Sequence, residues 1–178
     1  FTSAIPWEVS GYTLSKDKSK IAFETNESGL NKLYLMDTNS KKYSEIKGLP
    51  VGLVNNFDFT DDGKSLFFSQ STYDSSADIY RLDLATNKIE RWTDSEQGEM
   101  QKTDMSAPIL IEWKSFDGMK ITGFYYPVSK KFTGKRPVLI NIHGGPEGQS
   151  MASSLGSGNY YTNEMGVALI YPNVRGSS

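Results

Sequence analysis

The run Arg136-Pro137-Val138-Leu139-Ile140-Asn141-Ile142-His143-Gly144-Gly145-Pro146 decides the reading of this chain. Residues 138–142 are mostly apolar and rich in β-branched side chains, with a proline before them and a turn signal after them, the pattern of a short buried strand. The strand runs directly into two adjacent glycines. Glycine lets the backbone turn sharply and leaves its N–H unshielded by any Cβ. Exposed N–H groups at the carboxyl end of a parallel strand can hold an oxygen that gains negative charge during acyl transfer. Gly144 and Gly145 are therefore the candidate oxyanion donors, in a loop that His143 orients by hydrogen bonds.

The neighbouring segments extend this frame. Val167-Ala168-Leu169-Ile170-Tyr171 forms a second apolar strand, about 25 residues after the first. Two buried strands at that separation fit a right-handed crossover, with a short helix expected over 157–165. Upstream, residues 109–116 and 121–126 flank Asp117-Gly118, a two-residue hairpin signal. An antiparallel hairpin thus feeds a parallel sheet, which is how an α/β-hydrolase sheet begins, and an HGG-type loop after its third strand carries oxyanion donors in many such enzymes.

The first hundred residues follow another rule. Residues 14–23 align with 59–68 at a spacing of 45, and Leu33-Tyr34-Leu35-Met36-Asp37 aligns with Ile79-Tyr80-Arg81-Leu82-Asp83 at 46. A period near 45 with four candidate strands per unit is the signature of β-propeller blades. In the second unit the strands fall near 54–60, 65–71, 78–84 and 88–93, with Asp62-Gly63 and Asn87-Lys88 closing hairpins. Residues 7–14 form the innermost strand of the first blade. A polar stretch over 95–107 separates the regions. The expected organisation is two blades and a linker over 1–104, then the N-terminal part of an α/β-hydrolase domain over 105–178.

Composition narrows the function. The chain has 178 residues, a net charge of −2, one histidine and no cysteine. The charge gives no electrostatic case for nucleic acid or an anionic membrane, and no apolar run approaches the ~20 residues of a membrane span. A thiol nucleophile and a disulfide are excluded, a zinc site is not expected from a single histidine, and no cofactor is called for. The compartment stays open.

Other candidate residues read more simply. His143 is a poor general base for a Ser-His-Asp triad, because hydrolase triads place the histidine after both partners. Ser150, in Gly148-Gln149-Ser150-Met151-Ala152, follows a loop and not the strand that a nucleophile elbow needs. Ser177 and Ser178 follow a strand, with no helix-forming segment after them. Ser15-Lys16-Asp17-Lys18 lies in a hairpin turn. Asp37 and Asp83 read as turn residues, Tyr34 and Tyr80 as packing between blade strands, and Lys130, Lys131, Lys135 and Arg136 as a solvated basic loop.

Propeller repeats, then WKSFDG (113–118), RPVLINIHGGP and ALIYPNVRGSS (168–178), resemble the prolyl oligopeptidase family of serine peptidases, and most closely its acylaminoacyl-peptidase and dipeptidyl-peptidase-like branch. The likeness is generic over 1–95 and specific from Trp113 onward. It implies a propeller that caps an α/β-hydrolase domain and admits short peptides. It implies a backbone oxyanion role for Gly144 and Gly145, and an ion-pair role for Arg175. It also implies that the nucleophile, acid and base lie beyond Ser178, so that this chain is an internal fragment without a triad, inactive alone. An esterase sharing the glycine loop, and a propeller binding module with an inactive hydrolase remnant, remain alternatives. In the implied strand order 138–142 has an unpaired edge, which the remainder of the parent chain or a second copy is expected to cover.

Overall fold

A computed structural model describes residues 2–96, 98–145 and 147–177; Phe1, Gln97, Pro146 of the glycine loop and Ser178 lie outside the described residues. The repeat becomes two four-stranded antiparallel sheets, each joined in simple sequential order. The first contains β1 (Val9–Leu14), β2 (Lys20–Glu27), β3 (Leu30–Asp37) and β4 (Tyr43–Glu45). The second contains β5 (Gly52–Phe59), β6 (Ser65–Thr72), β7 (Ser75–Asp83) and β8 (Ile89–Arg91). The chain in this part is mostly sheet, as propeller blades require.

The repeat is visible at the level of atoms. Tyr34 stacks on Phe23 at a centroid distance of 5.1 Å, and Tyr80 stacks on Phe68 at 5.5 Å. Asp37 Oδ1 accepts the N–H groups of Asn39 and Ser40, and Asp83 Oδ1 accepts those of Ala85 and Thr86. Both aspartates thus close a turn by bonding the backbone two and three residues on. Ser15 is buried and its hydroxyl donates to Asp17 at 2.7 Å, as turn chemistry demands. The sheets meet along β1 and β5 through pairs one repeat apart. Thr13 Oγ1 donates to Asp58 Oδ1 at 2.8 Å, and Lys16 Nζ to Asp61 Oδ2 at 3.0 Å. Ala22, Leu33, Val54, Leu66, Phe68, Tyr80 and Leu82 form one apolar core across both.

A third sheet holds β9 (Ile109–Lys114), β10 (Lys120–Tyr126), β11 (Val138–Ile140) and β12 (Ala168–Asn173), in the order β11-β12-β10-β9. The β9–β10 and β10–β12 pairs are antiparallel, whereas β11 and β12 run parallel with Val138 opposite Ala168 and Ile140 opposite Ile170. This is the order that the family resemblance implies: first, second, fourth, then third, with the 138–142 strand at the edge. The central strands are buried, Phe124 and Leu169 almost completely, and Tyr126 and Ala152 join them.

One local expectation changes. Residues 138–142 pair over 138–140 only, with Asn141 N–H still reaching the Ile170 carbonyl at 2.8 Å. Val138, Leu139 and Ile140 are exposed, because among the described residues nothing lies on their outer side. The short helix expected over 157–165 forms as a continuous helical run over 156–165, wound as 3₁₀ at its start (Gly156–Gly158) and as π-helix at its end (Tyr161–Met165). Each glycine costs a helix about 1 kcal/mol. Asn159 Nδ2 and Thr162 Oγ1 also take up the carbonyls of Gly156 and Asn159, which competes with regular α-helical bonding.

Candidate functional site

The parallel pair delivers two loops to the same carboxyl edge of the sheet. The loop after β11 carries His143, Gly144 and Gly145, and the loop after β12 carries Val174, Arg175 and Ser177. His143 joins them: its Nε2 lies 2.7 Å from Ser177 Oγ, and its Nδ1 lies 3.3 Å from the Gly144 carbonyl oxygen. With the ring proton on Nδ1, the imidazole donates to Gly144 and accepts the Ser177 hydroxyl proton. Sequence reasoning did not find this pair, because the residues are 34 positions apart and meet only through the parallel register.

Gly144 and Gly145 are both exposed, and among the described residues no acceptor faces either N–H. Within this loop the glycine with the tightest steric requirement is a third one. A Cβ on Gly148 would stand 2.8 Å from the Gly144 oxygen, and the Gly148 N–H closes the turn onto the Gly145 carbonyl at 2.6 Å. Gly148 was legible only as part of a rejected elbow motif. The loop doubles back on itself, and that close approach leaves no room for a side chain.

The neighbouring candidates fall into structural places. Ser150 is held by its backbone, its N–H donating to Asn173 Oδ1 at 2.7 Å while Asn173 Nδ2 donates to its carbonyl at 3.0 Å. Arg175 pairs with Asp117 Oδ2 at 2.7 Å and lies over the Phe116 ring, which ties the β12 loop to the β9–β10 hairpin. Lys131 pairs with Glu164, and Arg136 donates to the Gly166 carbonyl at 3.0 Å, so the basic loop is anchored locally.

No family model matches the chain, and no curated protein matches it in sequence. Solved structures do match. An acylaminoacyl peptidase from Pyrococcus horikoshii is 25% identical over 99% of this chain and 27% of its own, with a TM-score of 0.76. The chain shares the fold of that peptidase over almost its whole length. Two further solved structures share the fold: a Mycobacterium tuberculosis puromycin-hydrolysing peptidase (18% identity, 94% of this chain and 26% of that one, TM-score 0.75) and a prolyl endopeptidase (17%, 96% and 25%, TM-score 0.75). The chain spans about a quarter of the length of these solved chains.

Proposed function

We propose that residues 1–104 are propeller blades with a linker and that residues 105–178 begin the α/β-hydrolase domain of a serine peptidase acting on short peptides. The observation that carries this reading is the parallel β11–β12 pair, with β11 opening at its carboxyl end into a Gly-Gly loop whose N–H groups are unengaged among the described residues. Gly144 and Gly145 donate to the oxyanion that forms when a serine attacks the scissile carbonyl. The nucleophile, acid and base belong to other parts of the parent protein. The His143–Ser177 pair supplies the specific alternative, a nucleophile and base inside this chain. Against it, His143 Nδ1 faces a carbonyl and not the carboxylate that orients the base in a triad.

A fluorophosphonate probe separates the two. The full-length protein should be labelled outside residues 1–178 and should cleave a short peptide anilide through an acyl-enzyme; the isolated chain should do neither. Labelling at Ser177 or Ser150 overturns this assignment.

The exposed β11 edge is covered, in this reading, by the remainder of the parent chain or by a second copy. An apolar edge with open N–H and C=O groups is a site for pairing or aggregation. The isolated chain should therefore associate in light scattering. A concentrated monomer with a cooperative melt argues against an open edge.

A further inference from the structure

The turn between β2 and β3 breaks the repeat. Asn26-Glu27-Ser28-Gly29-Leu30 stands where the second blade has Ser71-Thr72-Tyr73-Asp74-Ser75, with no glycine in either of the last two places. Its tip leaves the first blade and packs on the third sheet. Asn26 Oδ1 accepts the Gly29 N–H at 2.9 Å, which fixes the carboxamide and turns Nδ2 outward to donate to Gln149 Oε1 at 2.6 Å. The Gly29 carbonyl accepts the Ala152 N–H at 3.0 Å. A Cβ at Gly29 would lie 2.7 Å from both the Phe124 ring and the Ser150 carbonyl oxygen, so the backbones touch with no side chain between them. Leu30 packs against the buried cluster of Phe124, Tyr126, Ala152 and Leu169.

Residues 149–152 are thus clamped between this tip and Asn173 of β12. The loop of Gly144 and Gly145 begins at His143, tied to Ser177, and ends at Gln149, tied to Asn26. We infer that the β2–β3 tip is a latch, with Asn26 and Gln149 as positioning residues that set the Gly144 and Gly145 N–H groups. A displacement of about 1 Å at such donors costs on the order of 10²-fold in rate, and a loop fixed at one end only has that freedom. The consequence for catalysis rests on the peptidase reading above; the latch itself does not.

The test is a double-mutant cycle in the full-length protein. Asn26→Asp leaves the turn acceptor in place and can take a hydrogen bond from Gln149 Nε2. Gln149→Glu can take one from Asn26 Nδ2. Each single variant therefore keeps the latch, whereas the pair sets two carboxylates against each other. Asn26→Asp/Gln149→Glu should speed amide hydrogen exchange across 144–152 and lower kcat about tenfold or more with KM nearly unchanged, while both single variants stay within about threefold of the parent. A double variant that exchanges and turns over like the parent overturns the latch. Singles that lose as much as the pair also overturn it, since the bond would then not be what matters. If the parent cleaves no peptide, the proposed function fails and hydrogen exchange alone judges the latch. If the double variant does not fold, Gln149→Ala, which only deletes the bond, is read by the same exchange, and unchanged protection then counts against the latch.

Discussion

Replacing Asp78 with alanine is expected to cost about 3–5 kcal/mol of stability, the usual penalty for breaking a buried ion pair from one side. Asp78 is completely buried in β7. Its carboxylate accepts from Ser75 Oγ, Thr93 Oγ1, Ser95 Oγ, the Ser95 N–H and the Arg91 guanidinium. These bonds fasten β8 and the chain after it to the rest of the blade. Burial by itself pushes the carboxyl up, but the hydroxyls of Ser75 and Thr93, then Arg91 and Ser95, outweigh it and hold the group far below the usual carboxylate range. The folded state therefore binds this proton less tightly than the unfolded state. The stabilisation is complete above the unfolded value of about 3.9 and is lost as pH falls towards the lower folded value. Urea unfolding near pH 7 should show the full loss for Asp78→Ala, and the gap to the parent should narrow only below about pH 4. Asp61→Ala, which removes an exposed pair with Lys16, should show no measurable loss. Equal effects at the two sites would refute the argument from burial.

Gly145→Pro in the full-length protein should lower kcat by about 10²-fold or more, the cost of losing an oxyanion donor. Proline removes the N–H and fixes φ near −65°, whereas Gly145 sits at a φ of 63°. Both the donor and the turn are lost. Gly145→Asn separates these effects from mere loss of glycine, because asparagine tolerates left-handed backbone and keeps its N–H. It should fall within a few-fold of the parent. KM should move little in either case, since the proposed donor role concerns charge that develops only in the transition state. A folded Gly145→Pro variant with full kcat would remove the glycine loop from the mechanism and leave the fold assignment untouched.

The sequence by itself determined what depends on local pattern. The 45–46 spacing placed the blade strands, because each blade repeats the same turn chemistry and the same aromatic stack: Asp37 with Asp83, Tyr34 with Tyr80. Alternation and the turn at Asp117-Gly118 placed β9 and β10. Val138–Ile142 read as strand from its β-branched run, and Gly144-Gly145 as a loop with free donors from the absence of Cβ. The short helix over 157–165 was legible too, but not its irregular 3₁₀ and π winding, because side-chain bonds from Asn159 and Thr162 compete with the regular ladder and periodicity does not register such bonds. Only the tertiary structure decided which distant groups meet. The parallel register of β11 and β12 brings His143 to Ser177, the return of the loop makes Gly148 indispensable, and the β2–β3 tip finds Gln149 across 123 positions of chain. No local pattern encodes those contacts, since each depends on how separately formed sheets pack. The same packing leaves Val138, Leu139 and Ile140 exposed although their sequence says buried: an apolar run states a preference for burial, and neighbouring elements decide whether it is met.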